Sequence, residues 1–214
     1  MPTGCSLLGL RVIANFREVW VVDFEFNRGD GEGPNPVCMV ALELFTGRLI
    51  RMRRNKLRKQ RTAPFDTGPN ALFVAYFASA ELGCFLSLGW KQPVNIVDLF
   101  AERRVETNGH YLITDNTLIG ALAARGLTGL DSAQKDAMRM LVLEKDWWTD
   151  QEVVSILDYC TGDVSATSRL LTRMVPEIDW PRALLRGRYM LAVAQMEHTG
   201  IPTDLPLLKE LQKQ

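Results

Sequence analysis

Glu18-Val-Trp-Val-Val-Asp-Phe-Glu-Phe26 is rich in β-branched and aromatic residues and runs into a turn-prone stretch, Asn27 to Pro36. It reads as a β-strand. Strand alternation projects Asp23 and Glu25 from one face and Val22, Phe24 and Phe26 from the other. Two carboxylates side by side on a largely apolar strand are costly, because like charges repel and desolvation disfavours both. A divalent cation offsets that cost, and Mg²⁺ or Mn²⁺ prefers oxygen ligands. The competing explanation is a solvated face of an edge strand, and the Asp-x-Glu pair alone does not decide between them.

Working outward, Pro36–Leu44 reads as a second strand, and Thr46-Gly47 as a tight turn into a third, Arg48–Met52. Three antiparallel strands in a meander are the economical arrangement. A short apolar run, Ala71 to Tyr76, precedes helix-like text from Ala78 to Leu88, and Val94–Val97 follows as another strand. The second half is mostly helical. Leu112–Ala124 and Ser132–Leu143 are apolar at helical spacing, and Thr149-Asp-Gln-Glu152 is a capping box opening a helix to about Arg173, before Pro176. A last helix starts near Pro181. Strands first, crossed by helices, then a helical half, predict an α/β domain with a mixed sheet.

Composition narrows the function classes. The 214 residues are 47% hydrophobic and 23% charged, which excludes a disordered tail, a fibre or a coiled-coil rod. Twenty-five basic residues balance twenty-five acidic ones, so any field for a charged partner must come from local clustering. Cys5, Cys38, Cys84 and Cys160 are scattered and only two histidines occur, which predicts free buried thiols rather than a zinc cluster or a disulfide framework. No run of 18 apolar residues and no cleavage signature is present, so a soluble, cytoplasmic protein without a membrane partner is expected.

Two further stretches carry candidate chemistry. In Tyr159-Cys-Thr-Gly-Asp163, the i, i+4 spacing puts the phenol and the carboxylate on one helix face. Tyr159 then has the geometry to orient a water while Asp163 ligates a metal; an ordinary packed tyrosine beside a surface aspartate is the alternative. Glu81 falls in the first turns of the helix after Tyr76. The helix dipole alone favours an acid there, and the functional alternative makes it a third carboxylate facing the first two.

Taken together, Asp23-x-Glu25, Glu81 after a strand–helix junction, and Tyr159-x₃-Asp163 resemble the three motifs of the tyrosine-type DEDD 3′–5′ exonucleases. These include the proofreading domain of family A DNA polymerases, and ribonuclease D. The spacing matches, at about 55 residues between the first two motifs and about 80 to the third. Asp98 after Asn95-Ile-Val resembles the strand of that fold that carries an aspartate just before a helix, and Lys145-Asp-Trp-Trp resembles the approach to the third motif. Two departures stand out: the second motif usually has aspartate where this chain has Glu81, and often asparagine where it has Phe77. Met196-Glu-His-Thr-Gly-Ile-Pro-Thr-Asp204 resembles the stretch that opens the polymerase portion of family A enzymes.

The resemblance implies a ribonuclease H-like mixed sheet with the three-strand meander, flanked by helices and followed by a helical C-terminal segment. It divides the chain into an extension over 1–17, an exonuclease domain over 18–175 and a junction resembling the start of a polymerase domain over 176–214. It implies a two-metal 3′–5′ exonuclease releasing nucleoside 5′-monophosphates from the 3′ end of single-stranded DNA, as the proofreading part of a longer polymerase chain. Two Mg²⁺ or Mn²⁺ ions would be held by Asp23, Glu25, Glu81 and Asp163, with Tyr159 and Glu25 orienting the attacking water. The alternatives are a ribonuclease D-like enzyme acting on RNA, or a non-catalytic domain that binds nucleic acid or a partner. Eight basic residues between Arg48 and Arg61 fit phosphate contacts or a solvated loop, and nearby aromatic residues, Phe77 among them, offer base stacking.

Overall fold

The computed structural model describes residues 12–28, 33–108, 110, 114–128 and 132–213. A five-stranded sheet is its centre, in the order β3-β2-β1-β4-β5. The strands are β1 (Glu18–Asn27), β2 (Asn35–Glu43), β3 (Leu49–Arg53), β4 (Ala71–Ala75) and β5 (Asn95–Asp98). The first three form the expected antiparallel meander, and β4 and β5 pair in parallel, which makes the sheet mixed. β1 is therefore a central strand, and the edge-strand explanation of its carboxylates does not hold.

The pleat divides the core in two. Val19 and Val21 of β1 pack with Val74, Val97 and the long helix that carries Tyr159 and Asp163. Trp20, Val22 and Phe24 face the opposite layer with Leu82, Phe85, Trp90 and Ala194. Asp23 and Glu25 continue the parity of Val19 and Val21, so they emerge where the first layer opens.

The helices, in chain order, are α1 (Arg54–Leu57), α2 (Ala78–Leu88), α3 (Leu99–Glu106), α4 (Leu118–Ala124), α5 (Ser132–Leu143), α6 (Asp150–Met174), α7 (Trp180–Thr199) and α8 (Leu205–Leu211). The capping box at Thr149 and Glu152 forms as the sequence predicts, each side chain bonding the other's backbone amide. α7 lies close against β5 at Gly187, where a Cβ would stand 1.9 Å from the Ile96 carbonyl oxygen.

Two local expectations need correction. The helix predicted from Leu112 begins at Leu118, because Asp115 accepts from the Thr117 amide and hydroxyl and Thr117 caps the Gly120 amide. These short polar side chains offer the backbone a turn instead of a helix; residues 111–113 of that stretch lie outside the described residues. The basic arm, read as hairpin and loop, contains the one-turn helix α1 anchored by the buried Leu57. Cys38, Cys84 and Cys160 are free and buried as expected, whereas Cys5 and most of the 1–17 extension lie outside the described residues. Among the described residues no helix is long and apolar enough to cross a membrane.

Candidate active site

β1 outruns its parallel neighbour. β4 pairs with Glu18–Val21 only, which leaves the C-terminal half of β1 unflanked on that side. On the other side a bulge between Glu25 and Phe26 skips Val37 of β2 and breaks the register beside the second carboxylate. Bulges re-aim side chains in this way next to functional sites. Asp23 and Glu25 thus project into space that the sheet itself does not fill.

Glu81 fills the gap left by β4. It sits on the first turns of α2, is 4% exposed, and lies near enough to the Phe24 backbone amide for that amide to lower its carboxyl value. Asp163 enters from α6 with Tyr159 one turn before it, close enough for each group to shift the other's titration. The sequence-predicted residues Asp23, Glu25, Glu81, Tyr159 and Asp163 therefore converge from β1, α2 and α6. Cys160 lies beneath them, with Sγ 3.1 Å from Asp23 Oδ2 and 3.4 Å from the Asp23 carbonyl oxygen. Ligating atoms of Asp23, Glu25 and Cys160 fall within 4.8 Å of one another.

The electrostatics are those of a site short of positive charge. Burial, then the charge of Asp163, push the Asp23 carboxyl up to about 8. Burial, then Asp23, raise Glu25; burial, then Asp23 and Glu25, raise Glu81; burial raises Asp163. Glu81 Oε2 and Asp163 Oδ1 are buried with no hydrogen-bond partner. Orphaned carboxylate oxygens inside an acid cluster are what a hard divalent cation satisfies, so the residues present fit Mg²⁺ or Mn²⁺. Burial also raises the Tyr159 phenol well beyond its ordinary value, with Asp163 adding to it, so the hydroxyl keeps its proton as a donor.

Sequence reasoning missed Lys135. Its ammonium, on α5, lowers the carboxyl values of Asp23, Glu25 and Asp163 and lines the open space above them. Arg139, one turn on, lines the same opening, as i, i+4 spacing requires. Nothing in Ser132–Leu143 beyond its helical period announces that these two cations face the acids.

Two clefts of about 510 and 400 Å³ meet above the carboxylates, and Asp23, Phe77, Lys135 and Asp163 line both. Phe77 divides them. It is 48% exposed, has φ of 74°, and meets Phe100 edge-on at 5.0 Å. A left-handed conformation is unusual for a bulky residue and natural for asparagine, so the departure from the usual asparagine is also a departure in local strain. Asp98 holds the turn: it is buried, caps α3 through the Phe100 amide and accepts from the Phe77 amide at 3.0 Å. Asp98 is thereby a structural residue.

A scan of protein families and a search of curated proteins return no match for this chain. Solved structures do match. Escherichia coli RNase D, described as an exoribonuclease involved in structured RNA processing, aligns with 89% of the chain at 16% identity and a TM-score of 0.50. The catalytic core of RRP6 from Trypanosoma brucei aligns with 87% at 14% identity and 0.54, and T. brucei RNase D in complex with RNA U12 with 91% at 17% and 0.57. The chain spans 48%, 49% and 69% of those three chains. At these identities the likeness establishes the fold, a ribonuclease H-like exonuclease fold. It does not support the expected family A polymerase assignment.

Proposed function

We propose that this protein is a divalent-metal-dependent 3′–5′ exonuclease of the ribonuclease D type, acting on single-stranded RNA. The observation that carries the reading is the convergence of four carboxylates from three elements, two of them with orphaned buried oxygens. The RNA preference is supported by the solved structures that share the fold, an exoribonuclease and a ribonuclease D in complex with RNA among them, and it replaces the DNA-proofreading expectation.

Asp23, Glu25, Glu81 and Asp163 would hold the ions. When bound, such ions lower the pKa of a water and stabilise charge on the leaving oxygen. The chain's own residues do the positioning. Tyr159 keeps its proton beside Asp163, so its hydroxyl is placed to hold a water in line with the terminal phosphodiester, with Glu25 accepting from that water. Lys135 and Arg139 offer cations to the phosphate oxygens from the opposite wall. The clefts either side of Phe77 take the terminal and penultimate nucleotides. Attack of water on the last phosphodiester breaks the bond to the 3′ oxygen, releasing a nucleoside 5′-monophosphate and a strand with a new 3′ hydroxyl.

The test is incubation with 5′-labelled single-stranded RNA and DNA of equal sequence in Mg²⁺, Mn²⁺ or EDTA. A ladder shortening from the 3′ end, faster on RNA and absent in EDTA, is expected. Faster shortening of DNA would overturn the substrate preference, and no shortening of either strand would overturn the enzyme.

A further inference from the structure

A cavity of about 520 Å³ lies away from the carboxylates. It lies between the basic arm and the α5–α6 loop, floored by Val37 and Val153. Asn27 is its link to the site. That residue stands two positions beyond Glu25 on β1, roughly 7 Å along a strand. It donates to the Lys145 carbonyl and to Asp146 and accepts from Arg54, which ties loop and arm together.

The charges lining this cavity divide into used and unused. Arg54 is a strut, with its guanidinium stacked 4.7 Å over Trp148 and bonded to the Asp146 and Pro36 carbonyls. Arg53 is paired with Asp150, and Asp146 is turned toward Asn27. Both acids are therefore engaged. Arg58 and Lys59 are exposed; Arg58 bonds only the neutral Asn35 side chain, and neither has a carboxylate partner among the described residues. Beside them Trp147 stands 72% exposed. Burial and the neighbouring Arg58 lower the Arg54 guanidinium value, a sign of cationic crowding.

An exposed indole next to uncommitted cations matches a base stacked over its own phosphates. An acidic polypeptide would satisfy the cations and leave the indole unused. We propose that this cleft is a second binding site for single-stranded nucleic acid, engaging the strand upstream of the nucleotide held at the carboxylates. Trp147 stacks on a base, and Arg58 and Lys59 contact the phosphates beside it. The direction of the strand rests on the exonuclease reading; the cleft itself does not.

The test uses the full chain in EDTA, so that binding is read without hydrolysis. Fluorescein-labelled oligo(U) and oligo(dT) of 3, 6 and 12 nucleotides are titrated by anisotropy at several salt concentrations. Affinity is expected to rise at least tenfold from the 3-mer to the 12-mer. The double variant Arg58→Glu, Lys59→Glu and the single variant Trp147→Ala should each abolish most of that rise and leave the 3-mer unchanged, with melting curves confirming the fold. The salt slope for the 12-mer should shrink by roughly 1 to 2 in the double variant. Equal affinity at all lengths, equal losses for 3-mer and 12-mer, or displacement of the 12-mer by polyglutamate of matched charge as readily as by unlabelled oligo(U), overturns the proposal. Cleavage of the 3-mer in Mn²⁺, run in parallel, keeps the two readings apart: length-dependent binding without cleavage sinks the enzyme and spares the cleft, and the converse sinks the cleft alone.

Discussion

Replacing Asp23 by asparagine keeps the side chain's shape and an acceptor for the Cys160 thiol while deleting one charge of the cluster. In the metal-free protein, burial and Asp163 push this carboxyl from its ordinary 3.8 up to about 8. An acid held more tightly protonated in the folded chain stabilises the fold fully below its unfolded value. That contribution is lost as pH climbs to the folded value. The window is therefore roughly pH 4 to 8. At 1.36 kcal/mol per unit the span is worth about 5–6 kcal/mol. The side chain opens on the two clefts, however, and solvent screening reduces this to about 2–3 kcal/mol. Metal-free wild type should accordingly lose stability from pH 5 to pH 8.5, and Asp23→Asn should lose much less. At pH 8.5 in EDTA the variant should melt about 5–10 °C above wild type, using roughly 2–4 °C per kcal/mol for a chain of this size. At pH 5 the two should nearly coincide. Glu25, Glu81 and Asp163 remain in the variant, so a residual slope is expected. Millimolar Mn²⁺ at pH 8.5 should raise the wild type and leave the variant almost unmoved, and the variant's nuclease activity should fall at least about a hundredfold. A variant that melts below wild type at every pH, or that Mn²⁺ stabilises equally, would refute the carboxylate cluster as a metal site.

Tyr159→Phe deletes the protonated hydroxyl beside Asp163 while keeping the ring, so turnover should drop about ten- to a hundredfold with melting changed by about 1 kcal/mol or less; unchanged turnover would return Tyr159 to a packing role. Lys135→Ala removes the cation that lowers the carboxyl values, so the metal-free chain should lose about 1 kcal/mol at pH 8.5 and little at pH 5, read by the same melts. Phe77→Asn trades an edge contact with Phe100 for relief of a left-handed backbone; denaturant titration should find less than about 1 kcal/mol of change despite the loss of a large aromatic ring, and a loss above 2 kcal/mol would show that the strain is not there. Gly187→Ala should destabilise by about 3 kcal/mol, because the Cβ meets the Ile96 carbonyl, although alanine is the better helix former; a neutral result would mean that α7 shifts freely on β5.

The parts of the site that were legible are those whose signal is local. Asp-x-Glu on an apolar strand, Tyr159-x₃-Asp163 on a capped helix and an acid after a strand–helix junction each announce their geometry by period alone. The sheet class followed from the same periods. What escaped was set by partners distant in sequence. Lys135 and Arg139 lie on a helix whose own spacing is satisfied by packing, and only the placement of α5 over β1 turns them toward the acids. Cys160 beneath Asp23 is likewise a product of how α6 crosses the sheet. The onset of α4 failed for a different reason: Asp115 and Thr117 compete locally with the helical hydrogen bonds, which an apolar pattern does not register. Met196–Asp204 resembles the opening of a polymerase, whereas the solved structures that share the fold include an exoribonuclease and a ribonuclease D in complex with RNA. In the structure that stretch is the end of α7 and an exposed turn.

The close seat of α7 on β5 bears on how the chain is made. Trp20, Phe24, Phe73 and Phe85 share one core layer with Ala194. A ribosome that has just released β5 has therefore assembled that layer's sheet side without the helix that completes its cover. Close to a hundred residues separate Asp98 from Ala194, so at 5–20 residues per second the aromatic face waits roughly 5–20 s for its last cover. During that interval the nascent chain presents an apolar surface of the kind that chaperones bind, and slow codons in the stretch encoding α5 and α6 would lengthen it.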